Sequence, residues 1–178
     1  MDKNFFNQTR ILDGGMWQQL LAKGLVSKGT LWSTSAILDK KFHQLVIDVH
    51  LSFINSGAEV ILTNTFASRK LRLIQNKVEE HFKYVNEKAC LLSIKAKELS
   101  KKNILIAGSL PCQSDTYVED KRDSKSIEKD FYEQAEIIAS YVDFFYLDVN
   151  SSGRERDIAS NVAAKLNKPV LVGANIKK

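Results

Sequence analysis

Ile11-Leu12-Asp13-Gly14-Gly15-Met16 is the stretch that decides how this chain is read. Two apolar residues run into one carboxylate, two glycines follow, and an amphipathic pattern then begins. The apolar pair reads as a buried strand with Asp13 at its carboxyl end. The glycines predict a sharp backbone turn and room for a ligand to approach main-chain N–H groups. In folds of alternating strands and helices, binding chemistry gathers at that end of the strands.

Working outward, short apolar runs alternate with longer amphipathic ones. Trp17 to Lys23 predicts a short helix stopped by Gly24, and a loop carries Leu31-Trp32-Ser33. Phe42, Leu45, Val46, Val49, Phe53 and Ile54 fall at helical spacing between Lys40 and Ser56, with Gly57 as the stop. Strands are expected at Glu59–Thr63, Ile104–Ala107, Phe144–Leu147 and Val170–Val172. Leu71 to Lys101 is helical, as two helices or one broken one, and further helices are expected over Ser126–Tyr141 and Gly153–Asn167. Ser151-Ser152-Gly153 reads as a helix N-cap or a phosphate site, and Ser114 to Lys129 as a mobile polar rim loop. About five parallel strands with alternating helices define an α/β protein. An open doubly wound sheet and a partial (β/α)8 TIM-type barrel both fit this pattern.

Composition narrows the function. The 178 residues, 44% hydrophobic and 26% charged, suit one globular domain spanning 1–178. The net charge of +5 comes from dispersed lysines with acids among them, as in Lys95-Ala96-Lys97-Glu98. No basic run is interleaved with aromatics, which argues against a nucleic-acid partner. No apolar run approaches the ~20 residues of a membrane span. Met1-Asp2-Lys3-Asn4 carries no apolar signal core, and Cys90 and Cys112 are the only cysteines, so a cytoplasmic location is expected.

In a parallel sheet the strand ends share one rim. Asp13, Thr63-Asn64-Thr65, Gly108-Ser109 and Asp148 therefore stand together in expectation. Carboxylates there pair with an ammonium, and backbone N–H groups pair with a carboxylate. The competing structural account makes Asp13 and Asp148 helix caps and gives Thr63 and Asn64 to turns.

Several strings, in order and spacing, resemble the N-terminal half of the homocysteine S-methyltransferase family. They are Ile11-Leu12-Asp13-Gly14-Gly15-Met16, Leu31-Trp32-Ser33, Val49-His50, Gly57-Ala58-Glu59-Val60-Ile61-Leu62-Thr63-Asn64-Thr65-Phe66 and Ala107-Gly108-Ser109-Leu110. The resemblance implies a (β/α)8 barrel, with homocysteine and a methyl donor as partners and zinc held by three cysteine thiolates. It implies a homocysteine-binding turn at Asp13, Gly14 and Gly15, with Asn64 and Thr65 lining the same pocket. Asp148 falls where the family usually has a Glu that holds the amino group. The chain departs from the family at Trp17-Gln18-Gln19, where small or polar residues are usual, and at Asp148-Val149, where Glu-Thr is usual.

The family's zinc cysteines belong to the strand-six region and to a Cys-Cys pair near strand eight. Cys90 and Cys112 match neither position, and His43, His50 and His81 read as structural or surface residues. The expectation is a truncated homocysteine-binding barrel domain, without catalytic or metal residues of its own and with no zinc bound. Such a piece is expected to be inactive alone. It pairs with a complementary half-barrel or self-associates, or it serves as a non-catalytic amino-acid-binding or interaction module.

Overall fold

The structure, a computed structural model, describes residues 3–26, 28–150 and 152–174; Met1, Asp2 and Ser151 lie outside the described residues. Its centre is a parallel sheet of β1 (Val60–Leu62), β2 (Leu105–Pro111), β3 (Phe144–Asn150) and β4 (Val170–Ala174), in the order β1-β2-β3-β4. Sequence order equals spatial order, with helix between successive strands. That is the wall of a barrel and not a doubly wound sheet, whose strand order reverses at a switch point.

The expected first strand is reduced to a single parallel bridge, Leu12 beside Val60. The Glu59 N–H donates to the Ile11 carbonyl at 2.8 Å and the Asp13 N–H to the Val60 carbonyl at 2.9 Å. The ladder then stops for a chemical reason. The next donor, the Leu62 N–H, is taken by the Asp13 carboxylate at 2.9 Å. A side chain stands where a main-chain carbonyl would continue the strand.

The strands alternate faces, as a pleat requires. Ile61, Ile106, Leu110, Phe145 and Leu147 join the large core beneath the helices. Val60, Leu62, Leu105, Ala107, Phe144, Tyr146 and Leu171 form a smaller cluster on the opposite, inner face. A 3-10 helix, Lys3–Asn7, closes that inner face at the amino ends of the strands. Phe6 meets Phe144 edge-on at 5.3 Å, and Arg10 both pairs with Glu59 at 2.6 Å and covers the Phe5 ring.

The helical layer comprises α1 (Met16–Ala22), α2 (Ser35–Leu38), α3 (His43–Asn55), α4 (Lys70–Gln75), α5 (Phe82–Ser100), α6 (Ser124–Ala139) and α7 (Gly153–Lys165). Gly24 and Gly57, at φ +94° and +109°, stop α1 and α3 in a conformation that disfavours other residues. The long helical stretch breaks between α4 and α5, where Lys77 adopts φ 58°. The Leu31 segment, expected as a loop, forms a 3-10 turn over Trp32–Thr34 leading into α2.

The β2–α6 connection, expected as a mobile rim loop, is fastened at both ends. Arg69, 1% exposed, donates to the Cys112 carbonyl at 3.2 Å and to the Thr116 hydroxyl at 3.1 Å. Arg122 binds Asp120 and Asp130, and Arg154 donates to the Asp120 carbonyl. These charged contacts come from three separate parts of the chain, so the polar composition of the connection did not reveal them.

Candidate functional site

A cavity of about 510 Å³ opens at the carboxyl ends of the strands. The turn after the Leu12 bridge contributes Asp13, Gly14 and Gly15, and the first turn of α1 contributes Trp17 and Gln18. Trp32, Ser33, Thr63, Asn64 and Phe66 form another wall, with Ser109 from β2 and Tyr146 and Asp148 from β3 completing it. Both carboxylates thus meet one cavity. Among the described residues, no Lys, Arg or His lines it.

Asp13 is positioned by its bond to the Leu62 N–H and is not a helix cap. The N-cap of α1 is Gly15, which makes no side-chain cap, and α7 is capped by the Ser152 hydroxyl accepting the Glu155 N–H at 3.2 Å. Burial pushes the Asp13 carboxyl up to about 7. Its two backbone N–H bonds oppose that rise, and the Asp148 charge adds to it. Burial also raises Asp148. Among the described residues neither carboxylate meets a cation, and the two repel one another across the space they share.

The two glycines are small for different reasons. Neither adopts a positive φ. A Cβ on Gly14 would stand 2.8 Å from the Phe53 ring, so that position is small because α3 packs against the turn. A Cβ on Gly15 would meet only the flexible Gln18 amide.

Asn64 is 4% exposed, lines the cavity, and donates to the Ser33 carbonyl at 3.2 Å, holding the Trp32–Ser33 wall in place. Thr65 stands behind the cavity wall. Its hydroxyl donates to the Ser109 carbonyl at 2.7 Å, and its carbonyl accepts from the Gln134 amide at 3.1 Å. It ties β2 to the β1 terminus and does not line the cavity.

Trp17 both lines the cavity and packs on the large core. Trp32 holds φ 47° and stacks on Phe66 with ring centroids 5.9 Å apart, with the Arg72 guanidinium 5.2 Å from its own centroid. Tyr146 was not among the residues expected at the site. Period-two alternation along β3 carries the signal that finds it, because Phe144, Tyr146 and Asp148 share a face.

The residues present do not fit a three-thiolate zinc site. Cys90 lies in α5, where burial pushes its thiol up to about 12, and Cys112 follows β2, where burial also raises the thiol. A ligand thiol must ionise, and burial opposes that here. His50 is fully buried against Ser93 at 3.2 Å, and burial lowers its pKa to about 4. His43 is engaged with the Ile37 carbonyl at 2.8 Å. Among the described residues, no three His, Cys, Asp or Glu side chains are grouped to hold a metal ion. No helix among them is long and apolar enough to cross a membrane.

Comparison with known proteins places the cavity in a family context. The rat S-methylmethionine–homocysteine S-methyltransferase BHMT2 is 30% identical over 162 residues, which are 90% of this chain and 41% of that protein. The Escherichia coli homocysteine methyltransferase MmuM in its oxidized form superposes with a TM-score of 0.83 at 18% identity, over 96% of this chain and 64% of that one. Its metallated form gives 0.80 at 19% identity, over 94% and 63%. These two likenesses establish a shared fold. The chain spans less than two thirds of the length of each of these relatives. The profile of the homocysteine S-methyltransferase family matches residues 10–178, nearly the whole sequence, and this chain belongs to that family.

Proposed function

We propose that this chain supplies the amino-acid-binding side of a homocysteine S-methyltransferase. The ammonium of homocysteine lies between Asp13 and Asp148, and the turn at Gly14 and Gly15 together with Asn64 borders it. The observation that carries this reading is the pair of partly buried carboxylates in one cavity that no basic side chain among the described residues lines. A ligand ammonium supplies the missing charge and removes their mutual repulsion. In the complete enzyme the homocysteine thiol accepts a methyl group from its donor, giving methionine in the cytoplasm. Zinc is the family's metal. The donor set of this chain does not fit it, so we assign no step of the reaction to the metal here and place turnover in the complete enzyme.

Calorimetry with L-homocysteine tests the reading. Asp13→Asn and Asp148→Asn should each weaken binding about tenfold, as the loss of a charge-assisted contact does. Unchanged affinity in Asp13→Asn would remove the proposal.

A second reading, a non-catalytic amino-acid-binding or half-barrel interaction module, draws on β4. Val170 and Val172 are 36% and 37% exposed there, as on a strand that a complementary half-barrel or a second copy would cover. Concentration-dependent sedimentation distinguishes it, since a chain that stays monomeric at high concentration does not self-associate through that strand.

A further inference from the structure

Gln134 is an amide where the pattern of α6 calls for a hydrocarbon. Ile127, Phe131, Ala135 and Ile138 mark the buried stripe of that helix, and Gln134 lies in the same stripe. An amide buried there is costly unless its polar atoms are met. Both atoms find partners. The oxygen accepts from the Gln113 amide at 3.0 Å, and the nitrogen donates to the Thr65 carbonyl at 3.1 Å and to the Asn86 side-chain oxygen at 3.0 Å. Both hydrogens of the amide are thereby engaged.

Each partner leads to a wall of the cavity. Thr65 stands between Asn64 and Phe66, which line it. Gln113 follows β2, and its amide also donates to the carbonyl of Pro111, the register partner of Asp148. Asn86, on α5, donates to the Ser68 carbonyl at 3.0 Å. The Ser68 and Thr34 hydroxyls share a hydrogen bond of 3.0 Å, and Thr34 is the last residue of the Trp32–Thr34 turn. Gln113, Gln134, Asn86, Ser68 and Thr34 are all 0% exposed. The network runs behind the cavity, from the end of β2 to the Trp32 wall, and Gln134 is its branch point. Gln134 itself does not line the cavity.

The wall that carries Asn64 and Phe66 has no ladder or helix of its own, since β1 ends at Leu62 and α4 begins at Lys70. Two carbonyls of that segment, those of Thr65 and Ser68, accept from Gln134 and Asn86. Side-chain amides supply here the donors that neighbouring backbone supplies inside a sheet. A hydrocarbon at position 134 would fill the same space without aiming anything. A buried and directional network instead selects one arrangement of the segments it joins.

We propose that Gln134 is a positioning residue for the cavity. It touches no ligand. Through Thr65, Gln113 and Asn86 it holds Asn64, Phe66 and Trp32 where the amino acid meets them. This rests on the amino-acid reading above and adds to it a residue that acts from the helical layer. Groups that bind a small ligand must be held to within about 0.5 Å by what lies behind them, and the network supplies that support.

The test uses the full chain and three measurements: calorimetry with L-homocysteine, urea unfolding, and tryptophan emission. Trp17 and Trp32 are the chain's two tryptophans and both line the cavity, so emission reports on its walls. Gln134→Leu should weaken L-homocysteine about tenfold and shift the emission under conditions where unfolding shows the variant folded. Ser93→Ala removes a buried hydroxyl that bonds His50 and the Ala89 carbonyl, outside the network, and should keep both affinity and emission. Gln134→Glu gives a signature that a merely structural role does not. Its protonated carboxyl still offers one donor and an acceptor for Gln113, whereas its carboxylate has no donor and faces the Thr65 and Asn86 oxygens. Its affinity relative to wild type should therefore be highest near pH 6 and fall towards pH 8 as the new carboxyl ionises. The titration of Asp13 is common to both proteins and cancels in that ratio.

A folded Gln134→Leu with wild-type affinity overturns the positioning role and leaves the amino-acid reading intact. So does an equal loss of affinity in Ser93→Ala, which would mean that any loosening of the helical layer reaches the cavity. If Gln134→Leu does not fold, Gln134→Glu decides, and an affinity ratio that does not change with pH overturns the role. Failure of wild type to bind L-homocysteine overturns the amino-acid reading and this proposal with it.

Discussion

Asp13 and Asp148 at the cavity, and Asp120 and Asp130 at the β2–α6 connection and on α6, are the same residue type in opposite circumstances. Asp120 is 2% exposed and Asp130 7%, yet both are met by Arg122, whose guanidinium takes them at 2.7 Å and 2.6 Å. Burial works to raise the Asp120 carboxyl, but the Arg122 hydrogen bonds and charge outweigh it and hold the group below its usual range. Asp13 and Asp148 meet no cation among the described residues, and burial carries them upward. The first pair has its charge balanced within the chain and fastens a loop. The second pair stands with its charge unbalanced at a cavity, where a ligand can balance it. Partnering, more than burial, separates a structural carboxylate from a binding one here.

The strongest break in that comparison is at Arg122. Arg122→Met should leave two buried carboxylates without their cation and destabilise the fold by about 2–3 kcal/mol, read by urea unfolding. A variant as stable as wild type would mean that the ion pairs do not hold the β2–α6 connection. Gly14→Ala should come next, at about 1–3 kcal/mol, because the new methyl must displace the Phe53 ring. It should also disturb ligand binding, since the same turn carries Asp13.

Asp13→Asn should have the opposite sign. The amide keeps an oxygen for the Leu62 N–H but removes an unpaired charge, so stability at pH 8 should rise by about 1–2 kcal/mol while amino-acid affinity falls. Loss of stability instead would place Asp13 with the structural carboxylates.

The pH dependence sharpens the same point. Asp13 is raised in the fold from a usual 3.8 to about 7, so its protonated form is favoured. Its contribution to stability is full below 3.8 and is lost as pH rises through about 7. His50 has the reverse sign. It is lowered from 6.5 to about 4, so its contribution is present above 6.5 and lost as pH falls through about 4. Stability profiles of Asp13→Asn and His50→Leu should flatten on opposite limbs. Affinity for an ammonium ligand should strengthen between pH 6 and 8 in wild type, about where Asp13 ionises, and lose that slope in Asp13→Asn. The smallest effect belongs to Lys165→Ala. It removes an exposed pair with Glu128 and should change stability by about 0.5 kcal/mol or less.

The sequence alone carried the strand–helix alternation, the stops at Gly24 and Gly57, and the meeting of Asp13 with Asp148 at one rim. These follow from local periodicity, from the conformational freedom of glycine, and from the rule that parallel strands end on one side. It also carried the motifs that resemble the family. Whether the sheet was open or a barrel wall depended on which strands are neighbours, and that is a long-range property. The contraction of the first strand to one bridge depended on the Asp13 carboxylate reaching the Leu62 N–H, 49 residues away. Gly14 is small because of Phe53 on α3, and Thr65 turns from the cavity to tie β2. Ser109 and Tyr146 became partners only through β2–β3 register. Each of these was decided by contacts between distant parts of the chain. Local pattern determines which residues can sit at a strand end, and only packing determines which of them still have a hydrogen bond or a charge free for a ligand.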